Sequence, residues 1–485
     1  MKSLFRGALF RGVSAVGLAV SLAACTSNPT PLNRPGDLPA TFTAPVDKTA
    51  PIWPKADWWS NFTAEELGPL EDTAQKENLD IAVYAARVLQ AEAQDGVALS
   101  ALFPTLGLQG SGQRSGGNST RSGALVSNTF NTFNFGLSAA YQQNVFGMEF
   151  DQLRAARESL RAARYAAATI GITTTVTVAD QYFTILSLRE RIAIANANIA
   201  AAKRILAITQ AKVTSGVSSN LDLAEQQAIL AQQESTLPGL IQSEKASRYA
   251  LAILLGRAPE GFDVKAQNLD GITSPLVSPG LPSELLLRRP DVAQAEATLF
   301  AAHANVDAAR AAYFPSVSLS TVGEWTAGAI SGLISPANLA FSLGATVAQS
   351  IFDGGAVHAQ SDLAKAQEQE LIATYRKTVF TAFSDTETAL DTVKSTTDQL
   401  ALLEEQVRAS AEAFRISELQ YREGTIDILS LLQNQQNLFT AQQSLVQTKL
   451  ARLEANLALY NALGGGWEQK ADDANYKNQL DWWPL

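Results

Sequence analysis

The sequence predicts a mixed α and β protein made of two internal repeats, in which strands patterned like a membrane wall connect to exceptionally long helices. Three observations predict it. The chain repeats itself at a nearly fixed separation, two stretches of more than 60 residues contain no proline, and short segments alternate apolar with polar residues. Repeats decide architecture before local propensity does. Ala101-Leu102-Phe103-Pro104-Thr105-Leu106-Gly107-Leu108 matches Ala312-Tyr313-Phe314-Pro315-Ser316-Val317-Ser318-Leu319 at a separation of 211. Gly216, Leu221, Leu223, Gln227 and Leu230 match Gly424, Leu429, Leu431, Gln435 and Leu438 at a separation of 208, and the same register carries Leu255-Gly256 onto Leu463-Gly464. Each half therefore has one order of elements: helix, Phe-Pro, strand, loop, strand, very long helix, glycine turn, helix.

At the N-terminus, Lys2, Arg6 and Arg11 precede the apolar run Val13 to Leu22. That run fits the ~7–15 residues of an export signal and falls far short of the ~20 that span a bilayer as a helix. Leu22-Ala23-Ala24-Cys25 resembles a bacterial lipobox and contains the single cysteine of the chain, so Cys25 is expected to become a lipidated N-terminus. Thr26 follows, where an Asp would signal retention at the inner membrane. Thr26 to Pro54 is rich in Pro, Thr and Asn without apolar periodicity and reads as an extended tether. No later stretch reaches ~18 consecutive apolar residues, which leaves strands as the expected way to cross a membrane.

The first switch in each repeat lies at Phe-Pro. Proline cannot continue a helix and biases its predecessor towards extended geometry, so the helices stop by Phe103 and Phe314. In the strands that follow, Phe133, Phe135, Leu137, Ala139, Tyr141 and Val145 occupy alternate positions, with Gln143 the exception, and Phe341, Leu343, Ala345, Val347 and Ile351 repeat the pattern. Leu106 and Leu108, and Val317, Leu319 and Trp325, supply the apolar sides of the partner strands. Period-2 segments of ~10 residues with aromatics near their ends fit a transmembrane β-barrel wall, with the odd-numbered side chains of 133–141 and 341–347 towards lipid. Half-buried hairpins of a soluble sheet share the alternation. Ser115 to Thr129 and Thr326 to Asn338, rich in Gly, Ser, Thr and Asn, are expected to be loops. Four strands are too few to close a barrel, since single-chain barrels begin at ~8, so the chain must oligomerise.

Asp151 to Val213 has no proline and one interior glycine, Gly171; a continuous helix there reaches roughly 95 Å. Val357 to Tyr421 is its counterpart. Thr169 to Val178 is dense in β-branched residues and by local propensity could be a strand, but its helical flanks and the repeat keep it helical. The turns at Thr214-Ser215-Gly216 and Glu423-Gly424-Thr425 lead into new helices, with Ser219-x-x-Asp222 resembling a capping box and Asp427 available as an N-cap.

Composition excludes several function classes. A net charge of -10 leaves no cationic excess for nucleic acid. One cysteine and the two histidines, His303 and His358, form no metal-ligand pattern and read as helix-surface residues, so neither metal nor cofactor is expected. No P-loop, GxGxxG, GxSxG or CxxC occurs, and the glycines between Gly107 and Gly117 follow a strand and not a helix N-terminus, so no enzyme chemistry is expected.

Leu287-Arg288-Arg289-Pro290-Asp291-Val292, with Ala295-Glu296, Leu299, Ala301-Ala302, Ala308-Ala309-Arg310 and Tyr313-Phe314-Pro315, closely resembles the signature of the TolC-like outer membrane factor family, nearest to its NodT-type lipoprotein subgroup. Leu459-Tyr460-Asn461-Ala462-Leu463-Gly464-Gly465-Gly466-Trp467 resembles the family's ending. The Arg-Pro-Asp piece also reads simply as a helix start, with proline at the first position and a carboxylate in the first turn. The resemblance implies a homotrimer in the outer membrane, a 12-stranded barrel receiving four strands per chain, a periplasmic helical barrel and an equatorial collar. It divides the chain into a signal peptide (1–24), tether and collar segment (25–72), first repeat (73–256), collar linker (257–289), second repeat (290–464) and collar tail (465–485). Implied partners are a periplasmic adaptor, an inner-membrane efflux pump and outer-membrane lipid, and the implied function is passive export of small solutes such as drugs. A duct for type I protein secretion shares the fold; a coiled-coil surface stalk would lack the alternating strands. The family gate lies at the periplasmic turns, where Leu-Leu-Asp-Ala-Gln is common. Here Leu431-Leu432-Gln433-Asn434-Gln435 puts Gln433 in the acidic place, while the first repeat has Glu225 at the matching position. The expectation is a neutral constriction from Leu429 and Gln433, with acidic selectivity from Asp222 or Glu225. Helix rotation is not legible in the pattern, so outer helix faces for all four stay open.

Overall fold

The computed structural model describes residues 41–43, 52–121, 124–273 and 277–468. The expected signal peptide, Cys25, most of the expected tether and the residues beyond Glu468 lie outside the described residues. The elements follow the predicted order twice. The first repeat contains α2 (Leu79–Ser100), β1 (Thr105–Arg121), β2 (Ala124–Gln143), α3 (Met148–Thr214) and α4 (Asn220–Leu254), preceded by α1 (Leu67–Glu77). After a linker holding the one-turn α5 (Pro282–Leu285), the second repeat contains α6 (Pro290–Ala311), β3 (Ser316–Ala327), β4 (Leu339–Ala348), α7 (Ala356–Glu423) and α8 (Ile428–Ala462). At 67 and 68 residues, α3 and α7 each extend about 100 Å. The β-branched run in α3 is helical, and its hydroxyls are satisfied by bonding backwards: Thr169 to the Tyr165 carbonyl and Thr175 to the Gly171 carbonyl. Asp72, after which the first repeat is expected to begin, lies inside α1, which runs to Glu77.

The chain divides into two compact units. In the first, residues 91–160 and 298–373, the four strands form one antiparallel sheet in the order β1-β2-β3-β4. The expected loop Ser115 to Thr129 is instead strand, since pairs such as Gly116 with Thr129 and Asn118 with Ser127 continue the ladder to Arg121 and Ala124. Its composition reads as loop because it lacks apolar alternation, yet the backbone ladder needs none. Thr326 to Asn338 is a loop apart from its first two residues, with two 3-10 turns. His303 is not a helix-surface residue: its Nδ1 lies 2.6 Å from Glu368 on α7, and Asp307 beside it takes Arg154 of α3 at 2.6 Å. His358 is exposed.

The second unit, made of the described residues among 41–90, 161–297 and 374–468, holds the rest of the helices. One 18-residue stretch of α3 is apolar enough on average, by composition alone, to cross a membrane. It is not an unbroken apolar run, and Val178, Tyr182, Phe183, Ile185 and Leu186 of α3 are buried inside the chain, as in a core helix. Trp58 stacks on Tyr460 with ring centroids 4.7 Å apart and meets Phe62 edge-on. The repeats close on themselves in the same way. In the first, Asn78 donates to the Leu254 carbonyl at 2.8 Å; in the second, the buried Arg289 donates to the Ala462 carbonyl and pairs with Asp291 and Asp385. Each latch joins the start of one helix to the end of another, and a left-handed glycine makes room beside it. A Cβ on Gly256 would stand 2.2 Å from the Glu77 carbonyl oxygen, and one on Gly464 1.8 Å from that of Arg288. The Arg-Pro-Asp signature is thus a packing device.

Candidate functional site

Two places carry the functional expectations: the sheet and the turn ends of the long hairpins. The sheet register sorts its side chains onto two faces. Leu106 and Leu108 pair with Ala139 and Leu137; Phe135 and Tyr141 pair with Trp325 and Leu319; Phe341 and Leu343 pair with Gly323 and Thr321. Directly paired residues share a face, so Phe133, Phe135, Leu137, Tyr141, Phe341 and Leu343 all stand on one side. Contacts confirm it: the rings of Phe135 and Trp325 stack at 6.3 Å, and Cβ atoms on Gly112 and Gly110 would meet Phe133 and Phe135 at 3.1 and 3.6 Å. The glycines expected in this strand therefore sit beneath aromatic rings. The other face carries Ser111, Asn134, Ser138, Ser320, Glu324 and Ser342, with an Asn134 to Ser111 hydrogen bond of 3.3 Å. On the apolar side Phe341 is 87% and Leu343 83% exposed, so nothing in the chain covers them.

At the turns, Gly216 and Gly424 have φ of 74° and 80°. The amides of Val217 and Thr425 reach back to the Lys212 and Gln420 carbonyls at 2.8 and 2.9 Å, which ends both long helices alike. Ser219 and Asp222 form the expected capping box, and Asp427 caps α8 by accepting from the Ser430 amide at 2.7 Å. Hydrogen bonds from the Ser218 hydroxyl and the Ser219 amide hold the Asp222 carboxyl below the usual carboxylate range. Asp222 is thus charged, and its Oδ2 accepts both of these hydrogen bonds within the cap. Leu429 is 65% exposed, Gln433 is exposed and donates to Asn437 one turn on, and Glu225 is half-buried. Leu431 and Leu432, between Leu429 and Gln433, point the other way into a cluster with Ile205, Tyr421 and Ile428.

Sequence reasoning missed what joins the two hairpins there. The Tyr421 hydroxyl lies 3.0 Å from Thr209 Oγ1, while Lys212 stands 4.3 Å over the Tyr421 ring and donates to its backbone carbonyl. Further along, α3 and α8 meet through polar side chains: Asn198 to Gln442 at 2.9 Å, Arg191 to Gln443 at 2.7 Å, and Lys449 to Glu190 at 3.1 Å. Such a seam carries no periodic sequence signal, because each partner lies more than 240 residues from the other. The linker is strapped down nearby by Arg189, which donates to the Val264 and Ala266 carbonyls and pairs with Glu244 and Asp263.

Comparison with known proteins places this architecture. The family model described as outer membrane efflux protein matches twice, over residues 70–257 and 281–465, one match per repeat. The chain belongs to the outer membrane efflux protein family. It is 35% identical over 463 residues to the pyoverdine export outer membrane protein OpmQ of Pseudomonas aeruginosa, covering 94% of this chain and 97% of that one. Among solved structures, the outer-membrane channel OprN superposes with a TM-score of 0.82 at 29% identity, over 92% of this chain and all of that one. The open state of the Neisseria gonorrhoeae MtrE outer membrane channel superposes at 0.80 and 27% identity, over the same shares. The chain is therefore an outer-membrane efflux channel protein that extends into the periplasm, with the mixed fold and duplicated domain its sequence implied.

Proposed function

We propose that three copies of this chain close one barrel of 12 strands, four from each, whose apolar face meets outer-membrane lipid and whose polar face lines the exit path. One observation carries this reading: the sheet has two free edges, β1 and β4, and a mostly apolar face on which Leu106, Leu108, Leu137, Phe341, Leu343 and Val347 are exposed. In hydrocarbon an unpaired backbone group costs several kcal/mol, so the edges must be paired. The order β1-β2-β3-β4 makes β4 antiparallel to β1, so β4 of one copy continues the alternation against β1 of the next. Cys25 adds a lipid anchor to each copy.

The duct conducts small solutes passively, receiving them through a periplasmic adaptor from an inner-membrane pump. OpmQ is named for pyoverdine export, and pyoverdine is the first solute to try here. Leu429 and Gln433 form the neutral constriction at the turn end, since their exposed faces are free for the lumen while Leu431 and Leu432 hold the helix from behind. Glu225, half-buried, supplies what acidic selectivity there is; Asp222 serves the cap first. The test is the mass of the detergent-solubilised protein by light scattering, together with crosslinking in cells. A mass of three chains and capture of an adaptor and a pump support the reading; a monomer or dimer overturns it. Mass spectrometry of the mature N-terminus checks the anchor, and an unmodified Cys25 would remove it.

A further inference from the structure

Only three charged residues occur in the four strands: Arg114, Arg121 and Glu324. Glu324 pairs with Gly136 on the polar face, and Arg121 ends the β1 strand. Arg114 pairs with Asn131, two residues beyond the pair of Gly112 and Phe133, and so falls on the apolar face. A charge on that face is strongly disfavoured at the bilayer midplane but nearly free near an interface, so its height decides what it does.

The register gives that height. The apolar face runs along β2 from Gln143, paired with Val317, to Phe133, paired with Ala327. Ten steps of ~3.4 Å at a tilt of ~40° rise about 26 Å, the height of the apolar band of such a barrel. Arg114 lies about 5 Å higher, above the aromatic row of Phe133, Phe135 and Trp325 and at the end of the strands remote from the helices. There it is exposed, and the sequence from Thr105 to Met148 contains no Asp or Glu that could neutralise it. Beyond this level β2 has left β3 behind and pairs with β1 alone, so the cation stands at the foot of a two-stranded arm with open space on its lipid side.

From this we infer that Arg114 is a lipid-phosphate site: on each copy it binds the phosphate of a headgroup in the outer leaflet, with its stem lying along the aromatic row beneath. The chemistry is that of a guanidinium, which pairs with phosphate through two parallel hydrogen bonds, on a side chain whose aliphatic part tolerates the apolar boundary. The inference rests on the membrane-wall reading of the sheet.

The test uses the full oligomer reconstituted in phosphatidylcholine vesicles doped with brominated phosphatidylglycerol or brominated phosphatidylcholine. Trp325, the single tryptophan of the strands, reports quenching, with Trp325→Phe as the background. One Arg at an anionic surface is worth ~1 kcal/mol, so the anionic lipid should be preferred about 5-fold. Arg114→Gln should remove the preference and Arg114→Lys should keep most of it, while quenching by phosphatidylcholine shows that the variant has inserted. An equal preference in wild type and Arg114→Gln would overturn the site. No quenching by either lipid would overturn the membrane wall, and this inference with it.

Discussion

Placing an arginine on each face of β4 separates a membrane wall from a soluble sheet. Leu343 is the fifth of the ten residues of β4 and is 83% exposed on the apolar face; Ser342 is its neighbour on the polar face, paired with Val322. Both side chains are open in a single chain, so neither arginine meets a steric obstacle. In a barrel near mid-bilayer Leu343→Arg should cost roughly 2–4 kcal/mol per copy, against near zero for Ser342→Arg in a wet lumen. With three copies assembling together, that lowers the folded population by several orders of magnitude in one variant only. The assay is denaturant titration of the oligomer in lipid vesicles, read as the fraction resisting dissociation on a gel. Equal loss in both variants, or none in either, would refute the assignment of the faces.

Other variants address the helices. Tyr421→Phe removes the hydroxyl that meets the buried Thr209, a net hydrogen bond of ~0.5–1.5 kcal/mol, and should raise channel open probability up to about tenfold in bilayer recordings. Gly464→Ala should destabilise far more than Gly216→Ala: both have positive φ, a strain of ~1–3 kcal/mol, but only at Gly464 does the new methyl collide with backbone. Thermal unfolding in detergent gives the order, and equal effects would contradict it. Glu71 is fully buried without a hydrogen-bond partner, and burial, aided by Asp72, pushes its carboxyl well above its ordinary 4.5. A raised acid makes the folded state the better proton binder, so stability falls as pH rises from 4.5 through the raised value. Glu71→Gln should therefore gain stability over wild type at pH 7–8 and lose that gain near pH 4; a pH-independent difference would show that Glu71 is neutralised by another group.

The legible parts of this fold are those written by period, punctuation and repetition. Phe103-Pro104 and Phe314-Pro315 stop two helices where proline must, and β1 and β3 begin within two residues of each proline. Odd-numbered residues of β2 and β4 share a face because pairing preserves parity across an antiparallel ladder, so the common face of Phe133, Phe135, Leu137, Tyr141, Phe341 and Leu343 was readable before any register was known. The two-stranded arm was not readable, because Gly, Ser and Asn at 115–118 announce a turn while the backbone ladder continues regardless of side chain. His303 was misplaced since only the fold brings Glu368 opposite it. The Tyr421, Lys212 and Thr209 contact was likewise silent: a tyrosine near a helix end means nothing until the other hairpin lies beside it. Leu429 and Gln433 show the middle case, with a motif that marked the region and a helix rotation that only packing of Leu431 and Leu432 could fix.

The central claim is that this chain forms a conducting duct closed at its helical turns, and conductance of the purified protein in planar bilayers tests it most directly. Wild type should insert as discrete channels of low resting conductance, and Leu429→Ala with Gln433→Ala, which touch neither the Tyr421 contact nor the buried cluster, should raise that conductance severalfold. Resting conductance unchanged by the double variant would contradict the gate, and an oligomer that inserts without conducting in either form would contradict the duct.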